Sequence, residues 1–188
     1  MDMRWDALFE DLQSQWESLQ DRARESEIAE RTRIDQQSVT LAGRLRASTG
    51  AHVRTLQADG DMVTGVVGFT GADWVCLRSG PQDVILAVGW CRSWEGLHRA
   101  TAPPPTSVGD RLSLASALRG LSRDRALVTA TLAAGQPSTA VRGRIERVGR
   151  DFVDLTPVHP GELRPDRRPG GTTTVPMAAC LRISSPAR

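Results

Sequence analysis

The side chains able to do chemistry in this chain are few, and their spacing argues against most of it. His52, His98 and His159 stand apart, with no Cys, Asp or Glu at metal-ligand spacing. Each reads as an ordinary strand or surface histidine. Cys76, Cys91 and Cys180 make an odd count with no C-x-x-C pair, which points to neither a zinc site nor a disulfide framework. Asp73 and Asp151 are the best candidates for shared acid–base work, which needs two carboxylates in one cleft with displaced pKa values. They stand instead just before two equivalent strands, where an Asp satisfies nearby backbone N–H groups, so a turn role is expected. Gly65, Gly68 and Gly71 fall within a strand pattern and read as bends, not as a phosphate cradle. The chain has no G-x-S-x-G, Walker loop, dinucleotide fingerprint or H-E-x-x-H. With no nucleophile, base or metal set, it reads as non-enzymatic, with no cofactor and no small-molecule substrate.

Arginine offers more. Arg142, Arg144, Arg147, Arg150, Arg164, Arg167 and Arg168 fall within 27 residues. Arg142 and Arg144 share parity along one strand and should point to the same side. Such a face can track phosphates. Glu146, Asp151, Asp154, Glu162 and Asp166 interrupt it, and Phe152 is the one aromatic there for stacking on a base. A solvated charged face explains the same residues.

All 24 basic residues are arginine, and Lys, Asn and Tyr are absent, as a GC-rich coding sequence would produce. Arginine content alone is therefore weak evidence for nucleic acid. Its distribution says more. Residues 1–38 hold 5 Arg against 10 Asp/Glu, 39–100 hold 6 against 5, and 101–188 hold 13 against 7.

The elements that position these residues come in two copies. TGVVGFTGADWVCL at 64–77 aligns with RGRIERVGRDFVDL at 142–155, placing Gly65 over Gly143, Gly71 over Gly149 and Trp74 over Phe152. LAGRLR at 41–46 matches LASALR at 114–119, and AVGWC at 87–91 matches PMAAC at 176–180, with Cys91 over Cys180. Their equivalence favours a packing role for these two thiols. A unit of about 60–75 residues is too long for a solenoid repeat and long enough for a small domain.

Each unit reads as a short helix followed by five strands. The first has its helix at 39–48 and strands at 52–58, 62–69, 73–79, 83–88 and 91–97. The second has its helix at 112–121 and strands at 126–133, 139–147, 151–156, 172–176 and 180–184. Turn signals separate the strands, among them Asp59-Gly60-Asp61 and Gly80-Pro81. The expected divisions are an N-terminal amphipathic helix at 1–38, a first small barrel at 39–98, a Pro-rich linker at 99–111 and a second small barrel at 112–188. Residues 157–171, with four Pro and three Gly, read as a flexible insertion in the second barrel.

Ahead of both units, Trp5, Phe9, Leu12, Trp16 and Leu19 recur at spacings of four and three, the stripe of an amphipathic helix. About 30 helical residues would extend about 45 Å, longer than one small barrel is wide. A stripe with two Trp is costly to leave in water, so it is a candidate partner-binding face.

A short helix followed by five bent antiparallel strands resembles the Sm-like (LSm, Hfq-type) small barrel. GRIERVGRDFVDL at 143–155 is similar to that family's second and third strands, with Gly143, like Gly65, where the second strand bends. The resemblance implies two tandem five-stranded barrels of α+β, mainly β, class. It also implies a nucleotide pocket with an Asn after the third strand, but this chain has no Asn, and its closing turns lack base-contacting polar residues. The PRC-barrel resembles the chain as well, ending in a strand, a Pro-containing turn and a further strand.

The expectation is thus a non-enzymatic interaction or scaffold protein, binding a protein partner or itself through the helix stripe and the barrel faces. The alternative is a nucleic-acid-binding regulator, of RNA or DNA, using the Arg face of the second barrel. With no secretory leader pattern and no apolar run of membrane-spanning length, a cytoplasmic location without membrane contact is expected.

Overall fold

Strand formation follows from alternation. In β1 (His52–Gln57) the even positions face water or lie half-covered, while Val53, Thr55 and Gln57 are buried. A short turn leads to β2 (Met62–Thr70), where Gly65 and Val67 point inward. β3 (Trp74–Ser79) buries Val75 and Leu77, and Gly80-Pro81 turns the chain into β4 (Gln82–Ala87). Gly80 sits at φ 59°, the left-handed region that the tight Ser79–Gln82 pairing requires. Val84, Ile85 and Leu86 are buried in succession rather than alternately, the mark of a strand covered on both faces. A 3-10 turn (Val88–Trp90) then leads to β5 (Cys91–Glu95).

The computed structural model describes residues 36–103, 109–133, 138–158 and 171–187, with Trp16, Gln20, Arg24, Glu27, Glu30 and Arg33. The second half repeats the pattern as β6 (Leu127–Leu132), β7 (Thr139–Val148), β8 (Phe152–Pro157), β9 (Thr173–Pro176) and β10 (Cys180–Pro186). Two helices cover the strands. α1 (Leu41–Ala47) starts on Thr40, whose hydroxyl accepts the Gly43 N–H at 3.0 Å, and it buries Leu45. α2 (Leu114–Arg123) starts on Ser113 and buries Leu114 and Leu118.

The ten strands among the described residues form one antiparallel sheet in the order β5-β1-β2-β3-β4-β10-β6-β7-β8-β9. The expectation of two tandem closed small barrels is therefore corrected. Neither half closes on itself: β4 pairs with β10, joining the halves into an open sheet that ends at β5 and β9. The cores join as well. Leu45, Val67, Val75, Leu77 and Leu86 form one cluster. Trp74 and Ile85, from β3 and β4, belong to the other, with Leu118, Val128, Val153, Leu155 and Ile183. Residues Thr40–Arg188 accordingly form one compact unit.

The aligned glycines have a steric reason. A Cβ on Gly65 would lie 2.6 Å from the Arg78 carbonyl oxygen, and one on Gly143 would lie 2.4 Å from that of Thr156. Both strands carry a bulge just beyond, between Val67 and Phe69 and between Ile145 and Arg147.

The long N-terminal amphipathic helix is also corrected. The described positions from Trp16 to Ser38 are helical, but every one is exposed, and they present no buried apolar stripe. Trp5, Phe9, Leu12 and Leu19 lie outside the described residues. No helix among the described residues is long and apolar enough to cross a membrane.

Candidate functional site: the strand joint and the open edges

The β4–β10 joint is built from five residue pairs, from Leu86 opposite Arg182 to Gln82 opposite Pro186. Ile85 opposite Ile183 is its apolar centre, and both side chains are buried. The polar clamp is Arg182. Its guanidinium donates to Asp59 at 2.9 Å and also to Asp61, both in the β1–β2 turn of the first half. The Asp59 side chain is only 2 % exposed and that of Arg182 17 %, so this pair is largely withdrawn from water. The Trp90 indole N–H donates to the Ala178 carbonyl at 3.0 Å, tying together the 3-10 turns (Val88–Trp90 and Met177–Ala179) of the two halves.

A second tie runs through Asp73. Its carboxylate accepts the Leu114 N–H at 2.8 Å, at the start of α2, while the Trp74 indole donates to the Leu112 carbonyl at 2.8 Å. The local turn role expected of Asp73 is thus a long-range one, since it satisfies an orphan donor of a helix in the other half. Asp151 matches Asp73 only in its backbone. The Asp73 carbonyl accepts from Val88 at 3.0 Å, and the Asp151 carbonyl accepts from Met177 at 2.7 Å. The Asp73 carboxylate serves the start of α2, while the Asp151 side chain is exposed, so the two do not share a cleft.

The arginines of β7 are on one strand, but not on an uninterrupted positive face. Arg142 and Arg147 are exposed, and Arg144 is half-buried. The Arg147 guanidinium lies 5.6 Å from the Phe152 ring centroid. Between them Glu146 accepts from Thr156 at 2.8 Å, and Asp154 on β8 accepts from Thr174 at 2.7 Å. Arg150 is exposed in the turn after β7. Arg164, Arg167 and Arg168 lie outside the described residues. At the matching places of the first half, β2 carries Thr64, Val66 and Phe69, so this charge belongs to one half alone.

Among the described residues, no three His, Cys, Asp or Glu side chains gather as a metal set. The thiols are packing groups. Burial pushes Cys180 up to about 12 and Cys76 up to about 11, with Asp83 adding to the rise at Cys76. Cys91 is raised by burial too, against hydrogen bonding from Thr55 and Gln57. A shallow groove of about 500 Å³ lies beside α2, lined by Leu112, Ser116, Arg119, Ser122, Arg123 and Val148. Arg119 is already engaged there, donating to the Gly149 carbonyl at 3.1 Å.

Sequence reasoning missed Arg182, Asp59 and Asp61 as a group. Asp59-Gly60-Asp61 was legible as a turn, but nothing marked a partner so distant in the chain. The one available signal was an Arg set between the apolar Leu181 and Ile183 of the closing strand, where a charge needs a counter-charge. No family model matches the chain, and no curated protein sequence matches it.

Proposed function

We propose that this is a non-enzymatic interaction or scaffold protein of the cytoplasm, which binds a protein partner or a second copy of itself by strand addition at the open edges of its sheet. The observation that carries the reading is the β4–β10 joint. The chain already extends one five-stranded half by another through an edge ladder, and among the described residues β5 and β9 remain as edges. An edge strand presents a row of backbone donors and acceptors, a ready template for a further strand. Trp16, exposed on the N-terminal segment, is a further contact, since aromatic anchors carry much interface energy. Three free thiols suit a reducing compartment.

The test is sedimentation velocity over a wide concentration range, together with capture of partners, on the full chain and on the Ser93→Lys/Thr174→Lys variant. Lysine on an edge blunts strand addition. Association that disappears in the variant at unchanged melting temperature supports the reading. Association or capture unaffected by the two lysines would overturn it.

A second reading, nucleic-acid binding, is favoured by Arg142, Arg144 and Arg147 on one strand, with Arg147 stacked on Phe152. Glu146 and Asp154 weaken it by standing among them.

A further inference from the structure

The internal joint shows what the outer edges lack. By the repeat, β9 holds the place of β4 and β5 the place of β10. Cys91 and Cys180 each follow a 3-10 turn and open these closing strands, so Ser93 holds the place of Arg182. Gly65 and Gly143 are equivalent in β2 and β7, so Thr139 holds the place of Asp61. Local pairing agrees: the Gln57 N–H donates to the Asp61 carbonyl at 2.8 Å, and Leu132 pairs with Thr139. Ser93 and Thr139 are exposed, and neither can form an ion pair.

We infer that the partner of these edges is a second copy of this chain, added head to tail with β9 of one copy against β5 of the next, and that this outer joint is kept weak by the absence of the Arg182–Asp61 clamp. The inference rests on the edge-addition reading above. It differs from it in naming the partner, the direction and the residues that set the strength. The internal joint supplies the register. Val175 would face Ser93 as Leu86 faces Arg182, and Thr174 would face Trp94 as Ile85 faces Ile183. Joining two different edges makes a heterologous contact, which grows into a ring or an open chain and does not stop at a symmetric dimer. With the clamp present inside the chain and missing between chains, the two halves always join in cis, while addition in trans stays reversible.

The decisive experiment mixes two single variants of the full chain, Thr139→Asp and Ser93→Arg. Only a β9-to-β5 contact between different molecules brings the new Asp to the new Arg. Sedimentation equilibrium should show each variant alone associating no more tightly than the original chain. The mixture should form a one-to-one complex about tenfold tighter, the scale of one charge-assisted hydrogen-bonded pair. The reversed pair, Thr139→Arg with Ser93→Asp, should restore the gain. Circular dichroism verifies that each variant is folded. Association that is the same in the mixture as in the single variants would overturn the head-to-tail clamp while leaving edge addition standing. A chain monomeric at every concentration, alone and mixed, would overturn both.

Discussion

Arg182 on β10 holds Asp59 of the β1–β2 turn at 2.9 Å, across 123 residues of chain. This pair, not the ladder alone, couples the two halves. It lies where solvent screens it poorly, and losing Arg182 would take a charge-assisted pair away from a carboxylate that is only 2 % exposed.

Arg182→Ala is therefore expected to destabilise the chain by about 3 kcal/mol. Urea unfolding followed by circular dichroism measures it. Asp59→Leu combined with Arg182→Met should recover much of the loss, because the buried carboxylate goes together with its guanidinium and the remaining Asp61 is more than half exposed. A double variant less stable than either single one would contradict this account.

Asp73→Ala removes the acceptor for the Leu114 N–H and should cost about 1 kcal/mol, the usual value of a helix-start acceptor. Asp151→Ala, at the equivalent repeat position, should change stability by less than about 0.5 kcal/mol, since its carboxylate is exposed and its backbone contact remains. Equal losses at the two sites would mean that the repeat outweighs the contact.

The thiols give a pH signature. Cys180 is raised to about 12 and Cys76 to about 11 in the folded chain, from an ordinary value of 9.0. Above pH 9 the unfolded chain releases these protons while the folded chain keeps them. The stability they contribute is thus complete below pH 9 and is lost as pH climbs toward 12. Thermal melts between pH 8 and pH 11 should show this decline, and Cys180→Ala should flatten it. At pH 8 a thiol reagent should leave Cys180 unmodified until urea is added.

For the arginine face, replacing Arg142, Arg144 and Arg147 together with Ser separates the second functional reading from the first. If the strand binds nucleic acid, the triple change should weaken binding and flatten its salt dependence by about 2 to 3 units. Binding titrations at several salt concentrations check this. Self-association through the edges should be unaffected.

Much of the strand layout was legible in the sequence because it is local. The alternation in HVRTLQ and the Gly80-Pro81 turn are set by a few neighbouring residues, and the ten strands of the described residues lie near their expected positions. Gly65 and Gly143 were legible as bends, and the carbonyls of Arg78 and Thr156 explain why no side chain fits there.

The sequence by itself determined that there are two similar sets of strands, that their thiols pack, and that charge is concentrated in one set. Only the tertiary structure decided how the sets meet. A repeat carries no term for whether each unit closes on itself or shares its edge, because both satisfy the same alternation. That choice is made by the β4–β10 ladder, by Trp74 and Ile85 entering the second core, and by Arg182 meeting Asp59. Each of these is a contact between residues far apart in the chain, which local propensity and spacing leave undetermined.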